Sequence, residues 1–309
     1  MRRTSLVAVV TLHACWAAPP PAVTPRPTVV AVYRGADFSS TIADPLGFLP
    51  ADAEFVLAID LAQLRRSSLW QTFEPHLFDK LGAAFTPVRK DCGFDPLAGL
   101  QSLTFGASTL GDKPSGTVVI RGLDRARVLA CVKKGAAPRT TFDGEHLLYH
   151  SDDGSDLAVQ FVDGQTAVAV IGETVTIRDL TSAVQSGSPL RSGPFADVFA
   201  ELGDAKPIWF IVNGTIKQLQ QLASRGVRPE WLFSTIDVGD AVVANAHLRV
   251  ETAASATQLV AGVSGQLGAA KLFVERFDIA AVDRDIVVDL AATEPQVTQL
   301  LGVFGIASP

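Results

Sequence analysis

The sequence predicts an α+β protein built as two similar halves, each a mainly antiparallel sheet with helices packed chiefly on one face. Three observations lead there. Short apolar runs are separated by Asp-Gly turns, as in "TTFDGEHLLYHSDDGSDLAVQFVDGQTAVAVIG" over 140–172, the pattern of an antiparallel meander. Segments of helical period give each half roughly a strand–helix–strand–helix–strand order, the first with extra strands. Finally, "LPADAEFVLAIDL" at 49–61 and "LGDAKPIWFIVNG" at 202–214 share an initial Leu, a polar linker, an apolar strand, and Asp60 or Asn213 at its end, at an offset of 153 residues.

The elements follow in order. "AEFVLAIDL" reads as a buried strand, with Asp60 capping the turn after it. "SLWQTFEPHLFDKLG" reads as a helix disturbed by Pro75. "LQSLTFGAS" and "GTVVIRG" read as strands, and "LDRARVLACVKKG" as a helix stopped by Gly135. Three meander strands and the helices "TIRDLTSAVQSG" and "PFADVFAELG" complete the first half. The second half runs through the helix "TIKQLQQLASRG", the strand "DAVVANAHLRVE" and a long helix from "ASATQLVAG" to "VERF". The strand "RDIVVDLAA" and a last helix opened by Thr293-Glu294-Pro295 close it. "PEWLF", carrying Trp231, Leu232 and Phe233, falls between these elements and reads as an apolar loop. Such a loop either plugs the core or meets a partner or ligand.

The first residues, "MRRTSLVAVVTLHACWAAPPPAVTPRP", carry a separate signal. Arg2 and Arg3 form a positive n-region, and "LVAVVTL" is too short an apolar run to span a bilayer, which takes roughly 20 residues. "LHAC" resembles the bacterial lipobox at Leu12, Ala14 and Cys15; His13 departs from the usual residue at its position. That resemblance implies removal of residues 1–14 and acylation of Cys15. Ordinary secretory cleavage after Ala17 and an uncleaved terminus are the other two readings. Trp16 stands where the inner-membrane retention rule known for some bacterial lipoproteins has Asp, which points to the outer membrane of a bacterial cell envelope. Five prolines within "WAAPPPAVTPRPT" bar a helix there. Residues 15–45 therefore read as an extended tether, whose stretch from Cys15 to about Ala36 reaches roughly 60 Å at about 3.1 Å per residue. The first half is then 46–200 and the second 201–309, with one continuous domain as the other division.

Hydrophobic content is 48% and charged content 19%, enough for a substantial core. Removing residues 1–14 takes away Arg2 and Arg3 and no acidic residue, so the formal charge moves from −6 to −8. An acidic chain without a Lys/Arg cluster is a poor match for nucleic acid. With Cys15 acylated, Cys92 and Cys131 remain in an oxidising compartment, either as a disulfide or as two separate buried thiols.

No motif supplies chemistry. His146 and His150 in "GEHLLYH" have metal-like spacing on a helix, but in a strand they stand about 13 Å apart, too far for one ion. "SDDGSD" lacks the alternating carboxylates and distal Glu of a calcium loop. There is no nucleophile elbow, P-loop or zincin motif. Asp60 and Asn213 read as caps. Trp70, Phe73, Leu77 and Phe78 form a helical stripe that reads as core. No cofactor, metal or catalytic residue is expected.

"LPADAEFVLAIDLAQLRRSSLW" and "CGFDPLAGLQSLTFG" resemble the opening and the next landmark of a family of secreted or lipid-anchored bacterial proteins of unknown function. The resemblance covers about residues 49–220 and implies a fold and a compartment, not an activity. The expected function is a non-enzymatic envelope lipoprotein, membrane-bound through its lipid anchor, presenting a binding or scaffold domain to an envelope protein. A carrier or sensor of a hydrophobic ligand is the alternative, drawing on a mean hydropathy of +0.27. A periplasmic hydrolase comes third.

Overall fold

The apolar run FVLAID becomes β1 (Phe55–Asp60), with partners on both edges. Those partners are β2 (Ser102–Thr109) and β8 (Ile208–Asn213), both antiparallel to it. Beyond the β1–β8 ladder, Asp60 N donates to Pro207 O and Asn213 N to Glu54 O, each at 2.7 Å. The sheet is therefore continuous where two separate sheets were expected.

The computed structural model describes residues 44–303, apart from 111–112, 137–138, 144–145, 152–153, 186–189, 191–193, 204–205 and 265–272. Cys15, the leader and nearly all of the tether lie outside the described residues. The described residues belong to one compact unit, Tyr33–Pro309.

From β2 the sheet continues through β3 (Ser115–Arg121), β7 (Thr166–Gly172), β6 (Asp156–Phe161), β5 (His146–His150) and β4 (Thr140–Asp143). From β8 it continues through β9 (Pro229–Val238), β10 (Ala241–Val250), β12 (Asp285–Thr293) and β11 (Arg276–Val282). Every neighbouring pair in this 12-stranded order is antiparallel.

Helices cover both faces, which corrects the expectation of helices packed chiefly on one face. Strands such as TAVAVIG are apolar on both sides, so each side needs a cover. On one face, α4 (Ile177–Gln185) and α5 (Pro194–Glu201) bury Leu180, Phe195 and Val198 against Val56, Val119, Val168 and Ile211. On the opposite face lie α2 (Ser68–Cys92), α3 (Arg125–Cys131) and α7 (Ala253–Ser264). Two short pieces, α1 (Leu61–Leu64) and α6 (Lys217–Gln220), follow β1 and β8, and α8 (Glu294–Val303) follows β12.

Other expectations are also corrected. Pro75 does not interrupt α2, which runs for 25 residues; one missing backbone hydrogen bond is outweighed by packing of its apolar side. The helix ends at Gly93, whose φ of 70° lets its N–H reach Arg89 O. Gly135 does not stop the helix before it; the chain continues as a π-helical turn over Val132–Ala136. "PEWLF" is no loop, because Pro229 opens β9, a position where proline costs the ladder nothing. Arg276 and Phe277 leave the helix expected there and open β11.

Candidate functional site

The site begins with the way α2 is set on the sheet. Ser67 caps the helix by accepting from Trp70 N at 3.1 Å, and its hydroxyl donates to Gly239 O at 2.8 Å. Near the same end, Arg65 donates through Nε to Glu74 (2.7 Å) and through Nη1 and Nη2 to the carbonyls of Leu100 (2.5 Å) and Leu97 (3.1 Å). Its guanidinium also lies 6.0 Å from the ring centre of Phe78. At the far end Cys92 is disulfide-bonded to Cys131, the last residue of α3, with Cα atoms 5.2 Å apart. The helix is thus clasped at both ends.

Between the clasps α2 does not close fully on the sheet. A cavity of about 630 Å³ remains, walled by Trp70, Leu77, Phe78, Phe85 and Val88 of the helix. Ile59, Leu103 and Ile120 of the sheet form its floor, and Val128 and Cys131 of α3 stand at its side. Every residue named in its walls is apolar. Phe73, from the same helical stripe, is 4% exposed and belongs to the core. The stripe that reads as core in sequence thus divides between core and cavity wall.

Trp70 carries one buried polar anomaly, sealed from the cavity. The indole Nε1 of Trp70 has no hydrogen-bond partner among the described residues. An unsatisfied buried donor of this kind costs roughly 1–3 kcal/mol.

The residues singled out in sequence are otherwise placed as follows. Phe233 is 1% exposed, 4.8 Å from the His247 ring and 5.4 Å from the Arg249 guanidinium, so it is core and not a partner contact. Trp231 shares that face and packs on the same core, while Leu232 points to the opposite face; neither belongs to a loop. Asp60 accepts from Gln63 N at 2.8 Å as the cap of α1, and Asn213 accepts from Thr215 N at 3.0 Å in an Asx turn. The antiparallel pairing puts the two at opposite ends of the β1–β8 ladder. His146 Nδ1 donates to Asp143 O (3.0 Å), and His150 pairs with Asp156 (3.0 Å). Among the described residues no group of three His, Cys, Asp or Glu could hold a metal; Glu145, Asp152 and Asp153 lie outside them.

Sequence reasoning missed a polar cluster on the other face. His247 contacts Asp285 through Nδ1 at 3.3 Å and Asn245 Oδ1 through Nε2 at 2.7 Å. Arg249 bridges Asp285 and Glu201. Burial raises the Asp285 pKa, but hydrogen bonds from His247 and Arg249 outweigh it and bring the carboxyl down to about 2. The imidazole meets an amide oxygen where a hydrolase would hold a hydroxyl or thiol. A larger open groove of about 1050 Å³ runs between Leu49 and α4, with the Lys113–Glu173 ion pair in its wall. A smaller recess of about 240 Å³ holds Asp44, Asp60 and Arg121. Burial lowers the Arg121 pKa, against the opposing effects of Asp44 and Asp163. The cavity under α2 differs from both in its uniformly apolar walls. Among the described residues no helix is long and apolar enough to cross a membrane.

No protein-family model and no curated protein sequence matches the chain. Solved structures of a protein designated TP0453 are similar in fold. Crystal form III matches with a TM-score of 0.56 at 8% identity, over 85% of this chain and 100% of that one. Form IV matches at 0.53 with 9% identity, over 84% and 96%, and form I at 0.52 with 8%, over 85% and 98%. The likeness establishes an α+β fold with a large antiparallel sheet.

Proposed function

We propose that the chain is a lipid-anchored cell-envelope protein that carries or senses a hydrophobic ligand in the cavity beneath α2. One observation carries the reading: about 630 Å³ of space with wholly apolar walls, inside the roughly 300–1,000 Å³ range of small-molecule sites. A domain serving only as a scaffold gains nothing from that space. Filling it with side chains would add dispersion contacts that an open cavity forgoes. The clasps at Arg65 and at Cys92–Cys131 hold the space open and in place.

The anchor is Cys15, supported by the lipobox-like "LHAC", the positive n-region and the proline-rich tether. With Trp16 following, the outer membrane is the proposed location. The body is proposed to be a duplication. β1, β2, β3, β7 and β6 are ordered outward from the centre as β8, β9, β10, β12 and β11 are, and the reciprocal 2.7 Å bonds of Asp60 and Asn213 mark the axis between them. The scaffold reading keeps one observation of its own. Phe142 and Tyr149 are over a third exposed on one face of the β4–β5 pair, at an end of the sheet where a protein partner could add.

The test is mass spectrometry under native conditions on protein mildly extracted from its own membrane fraction. A chain beginning at Cys15 with acyl groups and a noncovalent apolar adduct is expected. A mature chain beginning at Ala18 sinks the anchor, and a lipidated chain that is always empty favours the scaffold.

A further inference from the structure

The Gly93-Phe94-Asp95-Pro96 segment that follows α2 stands between the cavity and a polar recess. From that arrangement we infer that the ligand is an amphiphile with an alkyl tail and a zwitterionic head. The tail lies under α2, and the head sits in the recess against Arg127, Asp124 and Asp95. The inference rests on the carrier reading above; it adds a chemical class and a second half to the site.

The recess measures about 380 Å³. Phe94, Pro96 and Leu123 line both it and the cavity, so the two spaces share a wall. Beyond that wall their chemistry diverges. The cavity walls are apolar, so a polar group drawn into them would lose its hydration and gain no partner. The recess instead presents Asp95, Asp124, which caps α3, and Arg127 in the first turn of that helix. A guest with a hydrocarbon part and a polar part uses both spaces; an alkane leaves the recess idle.

The charges of the recess set the head. Asp95 accepts from Leu97 N through Oδ1 and pairs with Arg89 through Oδ2, each at 2.9 Å. Asp124 Oδ1 accepts from Arg127 N at 3.0 Å, while its Oδ2 stands 3.6 Å from Arg127 Nε, beyond hydrogen-bond reach. That loose contact is the one ion pair of Arg127 among the described residues, and its side chain is 67% exposed. Two carboxylates thus stand beside two guanidinium groups. A head with net negative charge meets both aspartates, and one with net positive charge meets both arginines. A zwitterion sets a phosphate against Arg127 and an ammonium against Asp124, matching both signs.

The test uses the full chain with Cys15→Ala and four probes that share a dodecyl tail. Dodecylphosphocholine, dodecyl phosphate, dodecylammonium and dodecanol are titrated at pH 7 by equilibrium dialysis, below the concentrations at which they form micelles. The same titrations are run on versions that also carry Arg127→Gln or Leu103→Trp. Dodecylphosphocholine is expected to bind most tightly. Arg127→Gln should weaken it about five-fold, the worth of one exposed charge-assisted hydrogen bond, while leaving dodecanol within about two-fold. A merely structural role for Arg127 would move both together. Leu103→Trp, which fills the cavity floor, should weaken all four.

Binding that ignores the head, or is tightest for one of the other three probes, overturns the zwitterionic class. Equal losses for dodecylphosphocholine and dodecanol in Arg127→Gln, or no loss in either, overturn the seat at Arg127. Any of these results leaves the cavity as a binding site. Failure of all four probes to bind, or binding that Leu103→Trp does not touch, overturns the carrier reading and this inference with it.

Discussion

Cys92 ends α2, Cys131 ends α3, and the bond between them holds their Cα atoms 5.2 Å apart across 39 residues of sequence. It ties down the far end of the helix that roofs the cavity. Closing a loop of that length is worth about 4 kcal/mol in the chain-entropy model. The double variant Cys92→Ser, Cys131→Ser should therefore lose about 2–4 kcal/mol in urea denaturation. It should also exchange an apolar guest faster than the oxidised protein does.

Arg65 is the clasp at the other end. Arg65→Met keeps much of the apolar stem but removes the bonds to Glu74, Leu97 and Leu100, all partly buried. A loss of about 2–3 kcal/mol is expected, since the two carbonyls and the carboxylate are left short of donors. Arg65→Lys should recover little, because an ammonium cannot serve three acceptors in a fixed fork. Urea denaturation of the two variants side by side is the check.

The Asp285 cluster predicts a dependence on acid. The folded carboxyl has a pKa of about 2, below its ordinary 3.8, so the folded state holds the proton less tightly than the unfolded state. Its stabilising contribution is complete above about pH 4 and is lost as pH falls toward 2. Allowing for solvent screening, that contribution is about 1–2 kcal/mol. Asp285→Asn should be less stable at pH 6 and show a flatter decline between pH 4 and 2, measured by denaturation at each pH.

The cavity makes an opposite forecast for two valines. Val119 is 1% exposed within the closely packed core, and Val119→Phe should cost about 1–3 kcal/mol through overpacking. Val128 stands at the cavity wall, where an added ring has room. Val128→Phe should be neutral or stabilising in the ligand-free protein and should weaken guest binding. Denaturant midpoints of the pair test the forecast without any ligand being known.

Much of the framework was legible because local chemistry agreed with the final structure. The alternation and Asp-Gly turns of 140–172 gave the meander its strands, and Asp60 caps a helix as its position suggests. Pro229 hid β9, since a proline beside three consecutive large apolar residues imitates a loop when the strand buries side chains on both faces. Pro75 hid the true length of α2 for a related reason, tertiary packing outweighing a local breaker. The continuous sheet was not legible, because pairing of β1 with β8 joins segments about 150 residues apart. Nor was the cavity. Trp70 and Leu77 announce an apolar helix side, but whether that side closes on Leu103 and Ile120 is decided only when α2, α3 and the sheet meet. The even pair of thiols raised the disulfide as one option, and the 5.2 Å approach of their Cα atoms selects it.

The most direct test of the carrier reading is native mass spectrometry of the full Cys15→Ala chain purified from cells, beside the same chain carrying Leu103→Trp. The account predicts a noncovalent apolar adduct on the first and a weaker or smaller one on the second. An adduct equal in identity and occupancy on both, or an empty protein in both preparations, would contradict it.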